Sequence, residues 1–155
     1  MQKKEEQIQI QLKLKKVLET GYFFDSALLS SFINLDLLKI NIEFGFKIDV
    51  DISTNLFILH VLVRYQYPKE NELEKILELT SSNYFEIENL DNLIEMSNDE
   101  GIKDKANILP TLLGFSISTL RGILVVKTAG TVLADYPLPI VNPTDICKKT
   151  SIDKK

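Results

Sequence analysis

The residue types that carry out chemistry are scarce in this chain. His60 is the only histidine and Cys147 the only cysteine among 155 residues. Counting alone therefore excludes a disulfide framework within the chain and any zinc site built from Cys and His. A carboxylate-only metal site would call for a loop of the D-x-[DN]-x-[DN]-G type, which the sequence lacks. A general base would arise if His60 met Asp49, with Ser53 or Ser81 as nucleophile. Such chemistry needs nucleophile, base and orienting group to converge, and their spacing does not suggest it. A cross-strand surface pair is the simpler reading of His60 and Asp49. A catalytic thiol needs a nearby His or helix N-terminus, and Cys147 has no such neighbour in the sequence, so it reads as inert. The chain is not read as an enzyme, and no cofactor is expected.

The elements that would hold any site are strands first. From Ile8 to Leu14, apolar residues at 8, 10, 12 and 14 alternate with polar ones, the pattern of a half-buried strand. Val17 to Ile33 keeps no sustained period and reads as an irregular crossover with room for a short helical turn. The longest alternation runs from Leu38 to Ile52, with Phe44, Phe46, Ile48 and Val50 on one face and Glu43, Lys47, Asp49 and Asp51 on the other. Ser53, Thr54 and Asn55 supply turn chemistry, and Phe57 to Tyr67 alternates again, which makes a long antiparallel hairpin. Both apolar sets share a face if Ile52 pairs with Phe57, because a one-residue slip would send one set to the other side. In that register Val50 faces Leu59, Phe46 faces Val63, Asp49 meets His60, Lys47 meets Leu62, and the loop is Ser53 to Leu56.

Leu73 to Ile87 fits helix and strand patterns alike. Leu90 to Lys105 is polar and acidic and reads as a surface loop or short helix. From Ile108 the period is helical, with Pro110 in the first turn, Gly130 beyond the end, and Leu109, Leu112, Leu113, Leu120, Ile123 and Leu124 as the packing side. Tyr136 to Pro143 interleaves three prolines with Leu138, Ile140 and Val141; it cannot join the middle of a sheet and reads as an extended strap.

Length and composition set the frame. A chain of 155 residues and 17.7 kDa fits one domain, read as residues 1–147, followed by a short basic tail, 148–155, expected to lack structure. Its formal charge of −4 disfavours nucleic acid as a partner. No apolar run precedes a small-residue cleavage site near Met1, so export is not expected. The most apolar stretch, Ile108 to Val126, is interrupted by Ser116, Ser118 and Arg121, and no membrane insertion is expected. Cytoplasmic localisation is the resulting expectation.

The order of these parts resembles the SecB family of export chaperones over about Ile8 to Ile146. Ile8-Gln9-Ile10-Gln11-Leu12 is similar to the family's opening strand, and Leu77 to Ile87 to its fourth strand, which favours strand over helix there. Ala106-Asn107-Ile108-Leu109-Pro110-Thr111-Leu112-Leu113, followed by Leu138-Pro139-Ile140-Val141-Asn142-Pro143, is similar to the family's main helix and strap. The chain departs from the family where Tyr22-Phe23-Phe24-Asp25-Ser26 lacks a proline. It also departs at Phe115-Ser116-Ile117-Ser118-Thr119, and where Lys148, Lys149, Lys154 and Lys155 replace an acidic tail associated with docking to the SecA motor. The resemblance implies an α+β fold, with a four-stranded antiparallel sheet, one long C-terminal helix and a proline-rich strap, pairing into dimers or tetramers. It implies a holdase for unfolded or pre-export polypeptides that needs no nucleotide, with SecA docking put in question by the tail. Phe44, Phe46, Tyr65, Phe115, Ile117 and Tyr136 are the groove residues this reading selects, and Glu43, Asp49 and Asp51 would form an acidic docking face. Core packing and a solvated strand face are the plain readings of the same two sets. A chaperone dedicated to one client, such as an antitoxin, and a carrier of a small apolar ligand are the alternatives.

Overall fold

The computed structural model describes residues 9–32, 34–97 and 101–152, with side chains as far as Lys148. Four antiparallel strands form the main sheet: β1 (Leu12–Phe24), β2 (Asn41–Asp51), β3 (Leu56–Lys69) and β4 (Glu72–Ile87), in the order β1-β4-β3-β2. A short helix α1 (Ser26–Ser31) follows β1, its N-terminus capped by the Asp25 carboxylate, which accepts from Leu28 N at 2.7 Å. A turn of helix α2 (Leu90–Leu93) leads into a small hairpin, β5 (Ile94–Ser97) and β6 (Gly101–Asp104). The long helix α3 (Leu109–Thr128) lies on β3 and β4, and α4 (Pro143–Ile152) packs on α3. The four-stranded antiparallel sheet and long helix expected from the sequence are present.

β1 is longer than its alternation suggested and takes in the first part of the stretch read as a crossover, Val17 to Phe24, while the short helical turn expected there is α1; Ile8 lies outside the described residues. Two register shifts against β4, between Leu14 and Lys16 and between Glu19 and Gly21, explain this. Each bulge adds a residue and inverts the alternation, so the face toward the helix is carried by Leu12 and Leu14, then Val17 and Glu19, then Tyr22 and Phe24. No single period survives two inversions. A third bulge sits in β4 at Ile76, opposite the step from Tyr65 to Gln66, and it makes Leu73, Ile76 and Leu77 mimic helical spacing. The carbonyl of Ile76 accepts from Asp25 N at 2.8 Å, which ties the bulge to the end of β1.

The hairpin of β2 and β3 forms, but its register is displaced by two residues from the expected one. Val50 faces Phe57, Ile48 faces Leu59, Phe46 faces Val61 and Lys47 faces His60. Ile52 therefore belongs to the turn. The Asp51 carboxylate accepts from Ser53 N at 3.0 Å and from Ser53 Oγ at 2.6 Å, which starts a 3-10 turn over Ile52–Thr54. Asn55 closes it in the left-handed region at φ 54°, a conformation Asn tolerates. A shift of two preserves which face each residue occupies, so apolar pattern alone does not distinguish the two registers. β2 itself begins at Asn41, because Leu37–Lys39 form a 3-10 turn.

Leu90 to Lys105 begins with a short helix, one of the two expectations from its sequence, but it does not lie wholly at the surface. Leu90, Leu93 and Ile94 are buried and anchor the small hairpin to the body. Asp104, at the end of that hairpin, caps α3: its carboxylate accepts from Ile108 N at 2.9 Å and Leu109 N at 2.7 Å. At the other end Gly130 takes φ 77° just past Ala129, where a left-handed residue ends the helix. α3 buries Leu112, Leu113, Ser116, Ile117, Leu120, Leu124 and Thr128, while Leu109 and Ile123 are only partly covered. Length and composition alone would let Leu109–Thr128 cross a membrane, more than the sequence reading allowed, because its interruptions are small hydroxyls and one arginine; a third of that helix is buried within the molecule. Pro143 starts α4, where a missing N–H costs nothing, so helix occupies the first residues of the basic tail expected to lack structure. Residues 153–155, with Lys154 and Lys155, lie outside the described residues.

The core is the layer between α3 and the buried face of β3 and β4: Phe57, Leu59, Val61, Val63 and Tyr65 with Leu77, Leu79, Phe85 and Ile87. Leu120, in the middle of α3, is fully buried. Leu120→Ala is expected to lower the unfolding free energy by about 2–5 kcal/mol. Urea unfolding should show the midpoint falling with the slope unchanged.

Candidate functional site

α3 runs over the two central strands, and this leaves the same face of both outer strands half-covered. On β2, Ile42, Phe44, Phe46, Ile48 and Val50 are all only partly buried against the core. On β1, Leu12 and Leu14 are exposed beside Phe115 of α3, which is 53% exposed. Leu12, Leu14 and Phe115 line an open pocket of about 460 Å³ together with Phe85, Ser118 and Thr119. A second, smaller cavity of about 240 Å³ lies between the C-terminal half of α3 and the segment after it, with Tyr65, Arg121 and Tyr136 in its wall. Apolar strand residues that face the core are thus left partly covered on each flank of the helix, and on the β1 side they line an open pocket.

The residues selected from sequence are divided among these places. Phe44 and Phe46 are partly buried on β2, opposite Val63 and Val61. Phe115 belongs to the other flank. Tyr136 is half-buried and meets the edge of Tyr65 at 6.1 Å between ring centroids. Tyr65 is 1% exposed and Ile117 4%; both are core residues and offer no surface as the chain stands. Tyr65 carries the same alternation as Phe44 and Phe46, and only the position of α3 separates them, whereas Ile117 and Phe115 lie two residues apart on α3 and so on opposite faces of it. Leu12 and Leu14 escaped selection although their alternation was visible, because nothing in the sequence shows that β1 is an edge strand beyond the reach of the helix.

The opposite face of the sheet carries the charged residues, which are paired with one another, among apolar ones such as Leu18, Phe23, Ile58 and Leu62. Glu43 and Glu78 both engage Arg64, at 2.9 Å to Nη1 and 2.6 Å to Nε. Lys15 holds Glu86 at 2.7 Å. Asp51 is committed to its turn with Ser53. Each of the three acids Glu43, Asp49 and Asp51 therefore already has a partner within the chain. The Arg64 guanidinium holds the Glu78 carboxyl below its ordinary value, chiefly through the hydrogen bond.

His60 sits in a chain of hydrogen bonds across three strands: Nε2 meets Asp49 Oδ2 at 2.8 Å and Nδ1 meets Ser82 Oγ at 2.7 Å. Asp49 lies diagonally from His60, whose directly opposite residue is Lys47. The bond from His60 lowers the Asp49 carboxyl from its usual range. An ionised Asp49 only accepts, so Nε2 carries the proton and Nδ1 accepts from the Ser82 hydroxyl. The serine is neither Ser53 nor Ser81. Ser82 is 2% exposed and lies inside β4, paired to β1 and β3 on both sides, so neither approach of a substrate nor free amide donors for an oxyanion are provided. The group works as a tie between strands. Among the described residues no three His, Cys, Asp or Glu side chains come together as metal ligands. Cys147 is half-buried, and burial pushes its thiol up, away from the reactive thiolate.

No family model matches the chain, and no curated protein matches it. Solved structures do. A SecB-like chaperone from Mycobacterium tuberculosis, Rv1957, in complex with a ChAD peptide from the Rv1956 HigA1 antitoxin, aligns over 84% of this chain and 88% of that one. Identity is 11% and the TM-score 0.50, so the likeness is one of fold. A protein of unknown function from Streptococcus agalactiae aligns over 86% of this chain and 98% of that one, at 12% identity and a TM-score of 0.38, too low to support an argument.

A carboxyl whose folded value is depressed contributes stability above its unfolded value and loses it as the pH falls through the folded one. Glu78→Gln is therefore expected to destabilise at pH 7, by less than about 1 kcal/mol for so accessible a pair. The difference from the parent should shrink as the pH drops below 4.5 and vanish once Glu78 is protonated in both folded and unfolded chains. Urea midpoints at stepped pH measure it.

Proposed function

We propose that this protein is a SecB-like chaperone that holds unfolded or pre-export polypeptides, without nucleotide and in the cytoplasm, through the half-covered apolar flanks of its sheet. The observation that carries this reading is the row Ile42, Phe44, Phe46, Ile48 and Val50, an apolar face with aromatic residues that α3 does not roof. Holding many sequences needs apolar surface without tight shape selection, and a partly covered apolar row along an edge strand suits it. The fold likeness to a SecB-like chaperone supports the same class.

A second copy of the chain is the expected occupant of the other flank. β1 is an edge strand whose outer backbone groups have no strand partner among the described residues, and Leu12, Leu14 and Phe115 lie exposed beside it. Pairing β1 with its copy would extend the sheet and cover those side chains together, which relieves two liabilities with one symmetric contact. A dimer, and a tetramer built from dimers, follow from this reading.

A dedicated chaperone is the second reading, favoured by one observation: the SecB-like structure with this fold holds a peptide from an antitoxin.

Diluting a chemically unfolded client into the purified protein without nucleotide is expected to give suppressed light scattering at near-stoichiometric oligomer. Phe46→Ser should weaken suppression severalfold while the thermal midpoint confirms folding. Suppression limited to one client would select the dedicated reading, and undiminished scattering with every client would sink both. Leu14→Glu is expected to shift the protein to monomer in size-exclusion chromatography with light scattering; unchanged assembly would overturn the β1 contact.

A further inference from the structure

The two arginines of this chain are used in opposite ways. Arg64 is bracketed by two carboxylates. Arg121, partly buried on α3, has no carboxylate in ion-pair range among the described residues. Its Nε donates to the Leu138 carbonyl at 3.2 Å and its Nη2 to the Pro139 carbonyl at 3.0 Å, which fixes the guanidinium in place. Nη1 has no hydrogen-bond partner among the described residues.

That fixed, uncompensated cation stands in the wall of the 240 Å³ cavity, whose other walls include Tyr65, Leu124, Val125, Tyr136 and Leu138. The surroundings are predominantly apolar. Burial pushes the Tyr65 phenol up to about 12, so it stays a neutral donor at physiological pH and adds no competing negative charge. Its hydroxyl makes only a long contact, 3.4 Å, to the Tyr136 carbonyl. A guanidinium in apolar surroundings gains most from a carboxylate, which it binds with charge-assisted hydrogen bonds.

We infer that this cavity is a binding site for an apolar group carrying a carboxylate, the apolar part filling the space between α3 and the Tyr136–Leu138 segment and the carboxylate meeting Nη1 of Arg121. This goes beyond the holding of unfolded chains and rests on the cavity's own geometry. Two sources share the chemistry, a small free acid and the C-terminal residue of a polypeptide.

The test uses 3-phenylpropionate against 3-phenylpropionamide, and a short peptide ending in Leu with a free or an amidated C-terminus, titrated into the full chain. Amide NMR shifts and calorimetry report binding. The acid is expected to shift Val125, Thr128 and Ala134 and to bind at least about tenfold more tightly than the amide, the scale of one charge-assisted hydrogen bond. Arg121→Gln should erase the distinction between acid and amide, and Ala134→Leu, which fills the cavity and keeps Arg121, should block both. If only the free acid binds, the natural ligand is a small carboxylate; if the free-ended peptide binds and its amidated form does not, it is a chain terminus. Equal binding of acid and amide to the unaltered protein, shifts confined to another surface, or no binding at millimolar concentration would overturn the proposal, whatever the result of the aggregation assay.

Discussion

A helix with its side chains is about 10–12 Å across, and strands lie about 4.8 Å apart. One helix therefore roofs about two strands of a four-stranded sheet, and the remaining features of this molecule follow from that shortfall. α3 takes the central pair, β3 and β4, and the residues under it are nearly all buried. β1 and β2 keep the same apolar face toward the same side with less to cover it. A sheet with two helices on that face would bury Phe44, Phe46, Leu12 and Leu14 and offer nothing to a partner.

The two flanks are not equivalent. β1 joins an open sheet edge to exposed aliphatics and to Phe115, a combination suited to a copy of itself. β2 presents a row that includes Phe44 and Phe46 and continues, through the pairing of Ile42 with Tyr65, toward the cavity beside Arg121. The far side of the sheet is a lattice of paired charges, Arg64 with Glu43 and Glu78, Lys15 with Glu86, and His60 between Asp49 and Ser82. These charges are paired within the chain.

The small irregularities are what allow the long strands to exist together. Three bulges, two in β1 and one in β4, change which residues face the helix along these strands: the pair in β1 brings Val17 to the helix side in place of Lys16 and returns Tyr22 and Phe24 to it. Asp25, Asp51 and Asp104 each cap a turn or a helix with a carboxylate, so the acidic character of the chain is partly a matter of ending elements cleanly.

Strand identity and facing were readable from the residues alone where alternation was unbroken: Asn41 to Asp51 and Leu56 to Tyr67 announce a hairpin with one wet face, and Leu109 to Thr128 announces a helix with a proline start and a glycine end. These are local properties, set by side-chain period and by which backbone angles each residue tolerates. The register of that hairpin, the strand nature of Val17 to Phe24 and the burial of Leu90, Leu93 and Ile94 were not readable. A two-residue slide leaves every residue on its face, a bulge hides a strand by inverting its period, and burial depends on what packs above. For the same reason Tyr65 and Phe44 look alike in sequence and differ in the fold: period assigns a side chain to a face, but only the place where α3 comes to rest decides whether that face is core or surface.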